Sequence, residues 1–129
     1  MTHALQRGDR VPHFVVRDLE GREVAYAETW QRRNLLLIAA GDDHADNTRV
    51  VSDLAPHLRE IADHEAAVVI TRDEIPGLPR PGVLVADRWG EVQVVAAGAV
   101  GRGAPGAADL MDWLRYVRRR CPECEGEAR

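Results

Sequence analysis

At 129 residues, with 45% apolar and 29% charged residues, the chain has the length and composition of one soluble globular domain able to bury a core. A net charge of −4 argues against a dedicated nucleic-acid binder, and no apolar run approaches the roughly 20 residues that span a bilayer. The chain has no lysine and a single serine, Ser52, which excludes Schiff-base and P-loop lysine chemistry and argues strongly against a serine hydrolase.

Residues 1–10 lack the apolar core of a signal peptide, so a cytoplasmic location is the expectation. Val11-Pro12-His13-Phe14-Val15-Val16 reads as extended chain entered at Pro12. Asp18-Leu19-Glu20-Gly21 supplies a turn, and residues 23–26 return as the second strand of a hairpin. A helical turn is expected over 29–33. Leu35-Leu36-Leu37-Ile38-Ala39-Ala40 is a continuous apolar run, as in a strand buried on both faces.

Gly41-Asp42-Asp43 ends that strand, and a helix is expected over 44–64. Val50, Val51, Leu54, Leu58, Ile61 and Ala62 form one apolar stripe on it, and Pro56 should kink it. Residues 66–71 are the next strand; strand, helix and strand in this order imply parallel pairing through a right-handed crossover. Pro76, Gly77, Pro79 and Pro81 mark 72–81 as a loop. Strands follow over 83–86 and 91–97, joined by the tight turn Asp87-Arg88-Trp89-Gly90. A flexible Gly/Ala/Pro connection is expected over 98–106. A last helix over 107–120 turns Leu110, Trp113, Leu114 and Val117 inward, and Pro122 cannot continue it. The reading is one domain over 1–120 and a C-terminal tail over 121–129.

That tail holds the only two cysteines, in Cys121-Pro122-Glu123-Cys124. The spacing suits a redox dithiol, two of the four ligands of a zinc site, or idle thiols. Redox pairs usually start a helix, where the dipole favours thiolate; this pair follows the end of one. Arg118, Arg119 and Arg120 favour thiolate, whereas Glu123, Glu125 and Glu127 oppose it. Two chains could together supply four thiolates to a metal, or His13 or His57 could complete a site. Asp42, Asp43, His44 and Asp46 are a second cluster of potential ligands, but a helix-capping role for Asp42 or Asp43 explains them more simply.

The order hairpin, β, α, β, proline loop, β-hairpin, α resembles the thioredoxin fold: an α/β domain whose central mixed sheet carries an N-terminal β-hairpin and flanking helices. Gly8-Asp9-Arg10-Val11-Pro12-His13-Phe14, followed by Asp18-Leu19-Glu20-Gly21, is similar to the opening of peroxiredoxin-like proteins, the alkyl hydroperoxide reductase/thiol-specific antioxidant or redoxin family. Residues 54–73, with Ala67-Val68-Val69-Ile70, resemble that family's active-site helix and following strand. Pro81-Gly82-Val83-Leu84-Val85-Ala86-Asp87-Arg88-Trp89-Gly90 resembles its proline-strand-turn segment, with Pro81 in the place of the cis-proline that faces the active site. The resemblance covers roughly residues 8–120.

The same resemblance implies a redox role and also departs from it. Where the family places its active-site cysteine or CxxC pair, this chain reads His44-Ala45-Asp46-Asn47, so His44 and Asn47 stand in cysteine positions. The standard peroxidatic thiolate is therefore absent. Arg80 is offset by one residue from the family's thiolate-stabilising arginine and reads as a surface residue. Three expectations follow. The first is a thiol–disulfide or antioxidant role in which Cys121 attacks and Cys124 resolves, on a protein thiol or disulfide partner. The second is a non-catalytic interaction module binding through His44, Asn47 and Pro81. The third is a metal-linked homodimer through the C-terminal cysteines. None requires a cofactor, and neither nucleic acid nor membrane is an expected partner.

Overall fold

The computed structural model describes residues 3–119. At its centre lies strand β3, Asn34–Ala39, with every residue buried. It pairs in parallel with β4, Ala66–Thr71, from Asn34 opposite Ala66 to Ala39 opposite Thr71. On its other side it pairs antiparallel with β5, Gly82–Ala86, which pairs antiparallel with β6, Val92–Ala97. The four-stranded order is β4-β3-β5-β6.

The apolar run in β3 has no alternation because both faces of the sheet are covered. On one face Leu36, Ile38, Val83 and Val85 pack with Val50, Leu54, Ile61, Leu110, Leu114 and Val117 from the helices. On the other, Leu35, Leu37, Leu84 and Val92 pack with Val11, Phe14, Val16 and Tyr26 from the N-terminal segment and Ile75 and Leu78 from the proline loop. The period of two along each strand thus divides the core into two layers.

The N-terminal hairpin is shorter than its sequence pattern, β1 Val15–Arg17 against β2 Glu23–Ala25. The Asp18 carboxylate accepts from the backbone N–H of Glu20 and of Arg22 and so closes its turn. A 3-10 turn at Tyr26–Glu28 precedes the turn expected over 29–33, where the N–H groups of Arg32 and Arg33 both donate to the Thr29 carbonyl. Residues 8–11 lie along β6, where Gly8 N–H donates to the Val92 carbonyl and Val92 N–H to that of Asp9.

The helix expected over 44–64 is broken rather than kinked. α1 spans His44–Leu54, a 3-10 turn covers Ala55–His57, and α2 spans Leu58–Asp63. Pro56 has no N–H to offer the preceding turn, so the α-helical ladder stops there. The buried face is narrower than the expected stripe: Val50, Leu54 and Ile61 are buried, while Val51, Leu58 and Ala62 are exposed.

The 98–106 segment is not a flexible connection. It holds a short parallel pair, β7 Ala99–Val100 and β8 Gly103–Ala104. Gly98 makes this possible at φ 108°, since a Cβ there would lie 2.9 Å from the Cα of Gly103. α3 then spans Ala107–Arg119 and buries Leu110, Met111, Leu114 and Val117, with Trp113 only half-buried. Among the described residues no helix is long and apolar enough to cross a membrane.

Candidate functional site

The three expected binding residues meet at the end of β3. There the chain leaves the sheet at Ala39, turns through Gly41, and enters α1. Asp43 is the helix cap, its carboxylate accepting from Asp46 N–H at 3.1 Å. His44 is the first helical residue and is exposed. Asn47, one turn later, reaches back with its Nδ2 to donate to the Gly41 carbonyl at 2.9 Å. Gly41 in turn faces Pro81: a Cβ on Gly41 would lie 3.4 Å from the proline Cδ. The Arg80–Pro81 peptide bond is cis, as the resemblance implies.

Two concavities adjoin this point and share Asn47. An open groove of about 450 Å³ is lined by Leu19, Asp42, His44, Asn47, Thr48, Val51, Ser52 and Arg72. A narrow cleft behind it is lined by Gly41, Asn47, Val50, Pro81 and Val100, among others. Leu19 and Val51 are exposed large apolar residues that flank the groove. A larger concavity of about 610 Å³ along α3, lined by Arg7, Trp113 and Tyr116 among others, contains none of the expected residues. Position in the fold, not size, assigns the site.

Arg80 is more than a surface arginine. Its Nη1 donates to Asp42 Oδ1 at 2.8 Å and to the Ala40 carbonyl at 3.3 Å, so it ties the proline loop to the β3–α1 turn. The hydrogen bond from Arg80 holds the Asp42 carboxyl below its usual range, and the charge of Arg72, 3.8 Å away, acts in the same direction. Arg49 is a second anchor with no sequence signal. It pairs with Asp46 and Asp53 and donates to the Val100 carbonyl at 2.8 Å, binding α1 to β7. An arginine three residues after one aspartate and four before another reads as ordinary helix-surface pairing; its reach to Val100 is visible only in three dimensions.

Imidazole, amide, hydroxyl, carboxylate and guanidinium groups line the groove, and the chain's only thiols, Cys121 and Cys124, lie outside the described residues. Elsewhere, His57 and His64 both face Glu60, at 3.5 and 3.4 Å. No group of three or more His, Cys, Asp or Glu side chains among the described residues could hold a metal ion.

No family model and no curated protein matches the chain. Solved structures do. A thioredoxin-family thiol:disulfide interchange protein from Chlorobium tepidum TLS is 12% identical with a TM-score of 0.62, over 89% of this chain and 99% of its own. The reduced 2-Cys peroxiredoxin of Plasmodium vivax is 11% identical with a TM-score of 0.66, over 84% and 80%. Mycobacterium tuberculosis AhpC is 11% identical with a TM-score of 0.62, over 90% and 94%. The chain has the thioredoxin-like fold common to thiol:disulfide interchange proteins and peroxiredoxins.

Proposed function

We propose that this protein is a divergent thioredoxin-fold protein of the redox type in which recognition and thiol chemistry are separated. The groove at His44, Asn47 and Pro81 receives a polypeptide partner, and Cys121 and Cys124 carry thiol–disulfide exchange. The observation that carries this reading is the groove itself: it keeps the family's position and the cis-proline, yet offers an imidazole, an amide and apolar flanks where a thiolate would stand. The fold shared with thiol:disulfide interchange proteins and peroxiredoxins supports the redox element.

In the exchange, the Cys121 thiolate attacks one sulfur of the partner's disulfide. That S–S bond breaks, a mixed disulfide forms, and the partner's other sulfur leaves as a thiolate. Cys124 then attacks the Cys121 sulfur and releases the second partner thiol. Two electrons pass to the partner, and an external dithiol must reduce the resulting Cys121–Cys124 disulfide.

A Cys124→Ser variant incubated with oxidised insulin tests this. A covalent adduct that a reductant cleaves and that Cys121→Ser lacks is expected. Absence of an adduct, with saturable binding that His44→Ala weakens, favours the second reading, a non-catalytic binding module. The exposed Leu19 and Val51 beside the groove are the observation behind that alternative.

A further inference from the structure

The chain has six Phe, Tyr and Trp residues, and four of them gather at the end of the sheet opposite the groove. Trp89 lies in the turn between β5 and β6, and Trp30 just precedes β3. The His13 ring meets Trp30 edge-on at 5.0 Å and lies 5.3 Å from Tyr26, on which Phe14 stacks at 5.4 Å. Trp30 and Trp89 are each 37% exposed.

Hydrogen bonds join the segments of this surface. The Trp89 carbonyl accepts from Trp30 Nε1 at 3.3 Å and from Arg10 Nη1 at 2.8 Å. The Trp89 N–H donates to the buried Asp87 carboxylate, and Gln31 N–H donates to the Arg88 carbonyl. The Trp30 indole and the Trp89 backbone are thus held before any ligand arrives, which lowers the ordering cost of binding. The rim is cationic. Arg88 pairs with Glu65, but Arg10, Arg32 and Arg33 are exposed and form no carboxylate pair among the described residues. Exposed Glu28 is the nearest carboxylate in sequence to Arg32 and Arg33; beside Arg10, Asp9 is bonded to His3 and the Gln6 N–H, and Glu91, opposite Arg10, accepts from Gln93. Tryptophan and arginine together are the residue types that dominate binding hot spots.

We propose that this face docks an acidic polypeptide segment. Its carboxylates pair with Arg10, Arg32 and Arg33, and its apolar side chains cover Trp30 and Trp89. Guanidinium groups take carboxylates in paired hydrogen bonds. The proposal is independent of the groove and of the thiols.

Fluorescence anisotropy of a labelled peptide of alternating Glu and Leu tests it. A Lys/Leu peptide of equal length and a labelled oligothymidylate serve as comparisons. The Glu/Leu peptide should bind saturably and more weakly as salt rises. Binding should fall about tenfold in the doubly substituted Arg32→Glu, Arg33→Glu chain and not in Arg59→Glu, a charge reversal on α2. Both arginines are exposed, so the variant should fold, which circular dichroism checks; Trp89→Ala supplies a second, uncharged perturbation with the same expected direction. Equal binding of the Lys/Leu peptide, tighter binding of the oligothymidylate, or wild-type affinity in the Arg32/Arg33 variant would overturn the proposal.

Discussion

Tyr26 offers a substitution expected to stabilise the protein. Its side chain is 1% exposed, and its hydroxyl has no hydrogen-bond partner among the described residues. The ring is needed, since it joins Phe14 and His13 in the core, but the oxygen is not. A buried unsatisfied polar group costs about 1–3 kcal/mol. Tyr26→Phe keeps the ring and removes that cost, leaving a net gain of about 1 kcal/mol after the small void. For a domain of this size the melting temperature should rise by roughly 3–6 °C at pH 7, followed by circular dichroism. Burial also pushes the Tyr26 phenol up to about 12, from 10.0. The unfolded chain loses this proton near pH 10, the folded chain only near 12. Stability is therefore full below pH 10 and falls as pH rises from there to about 12. The Phe variant should lack that alkaline component. A variant less stable at pH 7, or one with the wild-type alkaline loss, would refute the reasoning.

Three further outcomes are expected. Gly82→Ala should abolish or severely impair folding in a denaturant titration, because its Cβ would lie 2.2 Å from the Pro79 carbonyl oxygen and 3.2 Å from that of Ala96, with a central strand unable to yield. Asp43→Ala should cost about 1 kcal/mol in urea unfolding by removing the cap of α1, and Asp43→Asn much less. Arg80→Ala should lower stability at pH 7 relative to wild type. Because Arg80 depresses the Asp42 carboxyl, that contribution is present above the ordinary value of 3.8 and disappears as pH falls below it, so thermal melts of the two proteins should converge in acid.

Much of the fold was legible because the strands carry strong local signals. The all-apolar run of β3 and the 66–71 strand were placed within a residue, and the 72–81 loop followed from its prolines. Parallel pairing followed from chain order. What failed depended on tertiary context. The stripe on the 44–64 segment assumed one continuous helical phase and too wide a buried face: the helix breaks at Pro56, and Val51, Leu58 and Ala62 lie exposed. The glycines of 98–106 suggested mobility, whereas Gly98 serves a close backbone approach. At the site, the meeting of His44, Asn47 and Pro81 was readable through resemblance. The Arg80–Asp42 and Arg49–Val100 links were not, because each joins elements far apart in sequence. The aromatic face escaped notice for the same reason: His13, Tyr26, Trp30 and Trp89 come from separate segments.

The central claim is that the groove carries no thiol step and that any exchange belongs to Cys121 and Cys124. Reduction of a small aryl disulfide by the pre-reduced full-length chain, followed by absorbance, tests it most directly. The rate should be lost in Cys121→Ser and persist in His44→Ala. A rate unchanged by Cys121→Ser, or none in the wild-type chain, would contradict it.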